Sequence, residues 1–181
     1  MMIKRIGVIG AGQMGSGIAH VCALKGFDIR LMDVDQPHIN SGVENIGRNM
    51  DRQIGRGMIR PEEKDAALRR IETSTDFKAF ADCDLVVEAA TENESVKRDI
   101  FKRLCDGLPS NVLLATNTSS ISVTRLASVT EASRVTEIDE VLVASSTLGG
   151  RPSQTFLKIS RLIASFSVAA STTRSQSANC L

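Results

Sequence analysis

An α/β domain built on a doubly wound, mainly parallel sheet is what this sequence predicts, and three observations carry the prediction. Short apolar runs of strand length (Ile6–Ile9, Ile29–Met32, Asp84–Ala90 and Val112–Ala115) alternate with longer stretches whose apolar residues recur at helical spacing. The first run opens directly into Gly10-Ala11-Gly12-Gln13-Met14-Gly15, and a helical pattern follows from Ile18 to Lys25-Gly26. The second run stops at an acid, Asp33.

Strand, glycine turn, helix, strand and acid, in a unit of about thirty residues, is the order of a Rossmann-type dinucleotide-binding βαβ element. Gly10 permits the tight turn, Gly12 lets backbone N–H groups approach a pyrophosphate, and Gly15 lets the helix lie close on the strand. The helix N-terminus then offers unpaired donors and its dipole to the phosphates. Residues Gly10, Ala11, Gly12, Gln13, Met14 and Gly15 are therefore the expected cofactor-binding turn. Asp33 would accept hydrogen bonds from a ribose 2′-OH and repel a 2′-phosphate, and neither Val34 nor Asp35 supplies a base to reverse that preference. The expected cofactor is NAD rather than NADP.

After Asp33, the sequence Asp35-Gln36-Pro37 signals a helix start, and Ile39, Val43, Ile46, Met50 and Ile54 continue it to Gly55–Gly57. Pro61-Glu62-Glu63 opens another helix with Ala67, Leu68 and Ile71 on one face. Two helices between the second and third strands read as an inserted helical hairpin. Its polar face carries Arg48, Arg52, Arg56 and Arg60, either a solvated surface or a contact for a phosphate-bearing substrate. Ile71–Ser74 reads as a short edge strand and Phe77–Phe80 as a turn of helix. Beyond the Asp84–Ala90 strand, Val96, Ile100, Phe101 and Leu104 predict an amphipathic helix with Lys97, Arg98, Lys102 and Arg103 outside. The strand at Val112–Ala115 ends in Thr116-Asn117-Thr118-Ser119-Ser120, followed by a short helix over Ile121–Ser128. Ligands of open α/β sheets bind at the carboxyl ends of strands, which directs attention to Gly10–Gly15, Thr91–Glu94 and Thr116–Ser120.

Composition narrows the function classes. The 181 residues are 42% hydrophobic and 24% charged, with a formal net charge of +1, as for a soluble globular chain. No basic block points to nucleic acid, and without Trp or Tyr the usual stacking platforms for single strands are missing. No stretch is long enough for a membrane span or a signal h-region, so a cytoplasmic protein is expected, with no membrane partner. Cys22, Cys83, Cys105 and Cys180 form no C-x-x-C pair; they are expected to be idle thiols, and no metal site is expected.

Gly10–Gly15, Asp33, Val86-Val87-Glu88-Ala89-Ala90-Thr91-Glu92-Asn93, Lys97, Phe101 and Asn117-Thr118-Ser119-Ser120 together resemble the NAD-binding domain of the 3-hydroxyacyl-CoA dehydrogenases, in particular the 3-hydroxybutyryl-CoA type, over residues 3–130. The resemblance implies hydride transfer between an L-3-hydroxyacyl-CoA and NAD, in fatty-acid or butanoate metabolism. It also implies that Glu92 and Lys97 help hold the cofactor, that Ser119 lies where nicotinamide and the acyl thioester meet, and that Arg56 stands near the CoA phosphates. The implied substrate partner is an acyl-CoA.

The family pattern stops near residue 130. Relatives carry a His-Phe-Phe-Asn-Pro type segment, whose His is the general base, and a helical C-terminal domain that forms the dimer; neither is found here. The two histidines, His20 and His38, lie in or beside the first helices and are expected to be surface or packing residues. No catalytic residue is therefore assigned. From Glu131 to Leu181, 15 of 51 residues are Ser or Thr. The expected division is a nucleotide-binding domain over 1–130 and a divergent tail over 131–181, with a strand at Ile138–Ala144, a helix through Phe156–Phe166 and a polar, partly disordered end, in a truncated family member. The alternative to an enzyme is an NAD-binding module, or truncation product, that catalyses nothing.

Overall fold

A computed structural model describes residues 3–118, 120–122, 125, 126 and 128, and the backbone of 135–137. The chain divides into one unit over Lys4–Glu140 and another formed by Met1–Ile3 and Val141–Leu181, the latter outside the described residues except for Ile3.

Six strands form one sheet: β1 (Arg5–Ile9), β2 (Asp28–Met32), β3 (Ile71–Ser74), β4 (Leu85–Glu88), β5 (Leu113–Thr116) and β6 (Val135–Glu137). Their order is β3-β2-β1-β4-β5-β6, with every pairing parallel. This is the doubly wound arrangement that the sequence predicts, and its topological switch point lies between β1 and β4. The strands nearest the centre are the most apolar: Ile6, Gly7, Val8 and Ile9 of β1 and all four residues of β4 are buried, as a parallel sheet covered on both faces requires.

Between the first five strands lie the helices α1 (Gln13–Leu24), α2 (Gln36–Gly55), α3 (Pro61–Arg69) and α4 (Glu94–Gly107). The α2 helix begins where expected. Asp35 is its N-cap, accepting from the His38 backbone N–H at 2.9 Å, and Pro37 lies in its first turn. It is followed at once by α3, so the inserted pair of helices between β2 and β3 is present. A 3-10 turn, Phe77–Phe80, delivers Phe80 to the core. There Phe80 joins Ile9, Met32, Val86, Leu114 and Leu126 and the inner face of α4. Gly7 makes room for that ring, because a Cβ on it would lie 2.5 Å from the Phe80 ring. Burial pushes the Cys22 and Cys83 thiols up to about 12, consistent with thiols that have no chemical role.

Two expectations need correction. Lys97 does not lie on the outside of α4. It is fully buried, while Val96 is 38% exposed. Lys97, Phe101, Leu104 and Leu108 are spaced three or four apart and share the inner face, so the apolar stripe runs through a lysine. The sheet also continues past residue 130. β6 pairs with β5 in the register Leu114↔Val135 and Thr116↔Glu137, within the Lys4–Glu140 unit. Its three residues, Val-Thr-Glu, are too few and too polar to signal a strand by themselves. The strand expected at Ile138–Ala144, the helix through Phe156–Phe166 and the disordered end lie outside the described residues. Of the helix expected over Ile121–Ser128, Arg125 and Leu126 are helical among the described residues.

Candidate functional site

The carboxyl ends of β1, β4 and β5 meet at the switch point, and each leads into one of the segments singled out in the sequence. At the end of β1, Gly10 has φ +99, a conformation that side-chain-bearing residues rarely adopt, and its N–H donates to the Met32 carbonyl at 2.8 Å. Gly15 is required by contact. A Cβ there would lie 1.7 Å from the Gly10 carbonyl oxygen, so the first turn of α1 closes directly on the loop. Gly12 is the opposite case: it is exposed, and a Cβ added to it would meet no atom within 4 Å. Among the described residues, nothing fills the space in front of Gly12.

That space faces the start of α1. Gly12 is the N-cap, no side chain caps the helix, and no acid lies in its first turn. The free amides and the positive end of the dipole are thus uncompensated, which is the electrostatic environment a pyrophosphate needs. Asp33 stands beside the glycine loop at the end of β2. Its two carboxylate oxygens accept from Ala11 N at 2.6 Å and Val34 N at 2.7 Å, so the acid is oriented by the glycine loop and by its own strand end. Beside it Val34 is 81% exposed. Gly42 of α2 was not anticipated. A Cβ there would lie 2.6 Å from the Ala11 carbonyl oxygen, so α2 braces the loop from behind. The only hint in sequence is a glycine within a strongly periodic helix.

At the ends of β4 and β5 the structure assembles side chains instead. The Lys97 ammonium bonds both Glu88 carboxylate oxygens at 2.8 Å, with both side chains fully buried. Glu88 also accepts from Ala90 N at 2.8 Å and from the Thr116 hydroxyl at 2.7 Å. Glu92, 46% exposed at its side chain, has Oε1 3.8 Å from the Lys97 ammonium. Its Oε2 accepts from the Thr118 hydroxyl at 2.7 Å and the Ser120 hydroxyl at 3.0 Å. Glu88 was not a sequence candidate, because a strand-terminal acid gives no sign of what it will meet. Ser119 lies outside the described residues.

The remaining candidates lie away from this cleft. Arg56, exposed at the C-cap of α2, is engaged by no side chain among the described residues, whereas Arg48 bonds Glu44, Arg52 bonds Asn49 and Arg60 bonds Glu63. His20 is buried on α1, with Nε2 3.2 Å from the Gln53 Oε1 of α2; His38 is exposed beside Asp35. Neither is at a strand end, as expected for packing and surface histidines.

A doubly wound sheet with a glycine turn, an uncapped helix start and an oriented acid at its switch point defines a dinucleotide-binding domain of the dehydrogenase kind. Residues 5–138 match the family described as "3-hydroxyacyl-CoA dehydrogenase, NAD binding domain", and the chain belongs to that family. It is 50% identical over 130 residues to a 3-hydroxybutyryl-CoA dehydrogenase of Bradyrhizobium diazoefficiens, covering 72% of this chain and 44% of that protein. A probable 3-hydroxybutyryl-CoA dehydrogenase of Deinococcus radiodurans is 44% identical over 123 residues, 68% of this chain and 44% of the relative. Among solved structures, the (S)-3-hydroxybutyryl-CoA dehydrogenase of Ralstonia eutropha is similar with a TM-score of 0.73 and 39% identity, covering 75% of this chain and 48% of that one. The chain thus spans under half the length of these relatives. The cofactor of the domain is NAD, and the open cradle at Gly12 fits it.

Proposed function

We propose that this chain is the NAD-binding portion of an NAD-dependent 3-hydroxyacyl-CoA dehydrogenase acting on 3-hydroxybutyryl-CoA or a close homologue in fatty-acid or butanoate metabolism. The observation that carries the reading is the open space at Gly12, set between an uncapped helix start and an acid oriented by the loop itself. In this reading the amides of the Gly10–Gly15 turn hold the pyrophosphate, Asp33 accepts from the adenosine ribose and disfavours a 2′-phosphate, and Glu92 and Lys97 serve the nicotinamide half. Bound NAD supplies the hydride acceptor. The resemblance implies that Ser119 stands where cofactor and thioester meet and Arg56 near the CoA phosphates; Arg56 is exposed and is engaged by no side chain among the described residues. The substrate class rests on the names of the relatives; dimerisation through a domain that follows in the family rests on the resemblance, and a cytoplasmic setting on composition. Among the described residues no helix is long and apolar enough to cross a membrane.

A second reading concerns competence. With His20 packed against Gln53 and His38 at a helix cap, the chain's histidines are not placed to take the hydroxyl proton. A positioned general base contributes about 10² to 10⁴ in rate, so these 181 residues are expected to bind NAD and to reduce acetoacetyl-CoA near background. Titration calorimetry with NAD and NADP tests the binding reading. Gly12→Val should abolish NAD binding with an unchanged melting temperature, because the added side chain fills only the cradle; normal affinity in that variant would refute it. Turnover of about 1 per second or more by the purified chain would overturn the second reading.

A further inference from the structure

The Glu88–Lys97 pair is unusual for its setting. A lysine on the apolar stripe of α4 and a glutamate at the end of the central strand β4 are both fully buried, in positions where an apolar pair would pack as well without the cost of desolvation. Glu88 is also saturated. Oε1 accepts from Lys97 and Ala90 N, Oε2 from Lys97 and Thr116, and its backbone carbonyl accepts from Asn117 N at 2.7 Å. It has no capacity left for a ligand. Of the three Lys97 donors, two are directed at Glu88, and the ammonium stands 3.8 Å from Glu92. Glu92 is the partly exposed member, and it is tied through Thr118 and Ser120 to the loop that follows β5.

We propose that Glu88 is a positioning residue: through Lys97 it orients Glu92, and through Glu92, Thr118 and Ser120 it holds the loops after β4 and β5 as one wall of the nicotinamide half of the cofactor site. This rests on the NAD reading above. Lys97 then acts on the cofactor through Glu92 rather than by contact, since its own side chain has no exposed surface. The buried pair fixes geometry between two loops that share no backbone hydrogen bond other than Asn117 N to Glu88 O among those described at this edge.

The test separates the two halves of the cofactor. ADP carries the adenosine half and the pyrophosphate but neither the second ribose nor the nicotinamide, so it probes the β1–β2 side alone. Calorimetry of the full 181-residue chain with NAD and with ADP is compared for wild type, the double variant Glu88→Gln/Lys97→Met, and Thr118→Val. The double variant removes both buried charges together and so avoids leaving one unpaired; Thr118→Val cuts the far end of the chain of contacts and leaves the buried pair intact. NAD affinity should fall about tenfold in the double variant and about threefold in Thr118→Val, the size of losing one charge-assisted or one weaker hydrogen bond. ADP affinity should stay within about twofold in both, a variation small beside that loss. Equal losses for the two ligands, or no loss for either, would overturn the proposal and leave the pair a packing feature. If the double variant does not fold, Thr118→Val decides by the same criterion. If wild type binds neither ligand, the NAD reading fails and this proposal fails with it; binding of ADP and NAD by wild type with unselective variants sinks only the proposal.

Discussion

The chain makes the same turn twice, strand into helix at the switch point, and builds the two turns by opposite means. At the β1–α1 junction the N-cap is Gly12, no side chain caps the helix, and the first turn holds no acid. At the β4–α4 junction the N-cap is Asn93, whose side chain accepts from Ser95 N at 3.0 Å and Val96 N at 3.3 Å, and Glu94 sits in the first turn. The first helix keeps its amides for a ligand; the second has them satisfied by the protein. The first junction works by what is missing, since Gly10 and Gly12 carry no side chain and nothing described lies within 4 Å of a Cβ built on Gly12. The second works by what is present, a saturated buried carboxylate and a lysine with no exposed surface. The difference teaches that an anion cradle and a rigid wall need different materials. A phosphate needs backbone and space, whereas a wall needs directional contacts that fix one arrangement.

The comparison can be broken most severely at Gly15. In Gly15→Ala the new Cβ would fall 1.7 Å from the Gly10 carbonyl oxygen, so loop and helix must part. The expected outcome is a loss of stability above about 4 kcal/mol together with loss of NAD binding, read by denaturant unfolding and calorimetry. A folded Gly15→Ala protein with normal affinity would mean that the close approach is dispensable.

Next in size is Lys97→Met. It leaves the Glu88 carboxylate buried without its cation and should cost about 3–5 kcal/mol of stability, whereas adding Glu88→Gln should restore most of it. If the double variant is no more stable than the single one, the pair does not behave as a compensated buried charge. At the first junction the corresponding side-chain effect is smaller and falls on binding. Asp33→Ala should weaken NAD by about 1–3 kcal/mol, the cost of a poorly paired ribose hydroxyl, and should erase discrimination against NADP. Equal affinity of wild type for the two cofactors would show that Asp33 does not read the 2′ position.

The smallest effect is one of pH, and it acts on the first half only, because both histidines lie there. Burial holds His20 below its usual value, against its hydrogen bond to the Gln53 side-chain oxygen, which raises it. As pH falls through about 6.5 the unfolded chain takes up this proton first, so stability is lost until the lower folded value is passed. His38 runs the other way. Its hydrogen bond to Asp35 raises it, so its contribution is full below the unfolded value and is lost as pH rises through the folded one. In His38→Ala the melting temperature should therefore decline more steeply from pH 7 to pH 5 than in wild type. A shallower decline would contradict the assignment.

How much of this was legible beforehand follows from how local each feature is. The glycine turn, Asp33, the Asp35 cap and the strand and helix pattern were readable because each depends on a few consecutive residues or on one periodicity. A glycine at a positive φ and an acid at the end of a strand carry their reasons with them. The side-chain half of the site was only partly readable. Resemblance picked out Glu92 and Lys97, but the helical pattern put Lys97 on the outer face of α4, and Glu88 was given no role, because charge suggests exposure unless a partner is known. That partner sits 9 positions away across the turn, and the Thr118–Glu92 contact spans 26. Gly42 behind Ala11, Phe80 against Gly7, and β6 beside β5 are of the same kind. The sequence by itself determined the elements and the phosphate cradle, since backbone conformation and periodicity are properties of short segments. Only the tertiary structure decided which charges are buried together and that a further strand pairs with β5, since desolvation and strand pairing are energies of residues that meet only after the chain has folded.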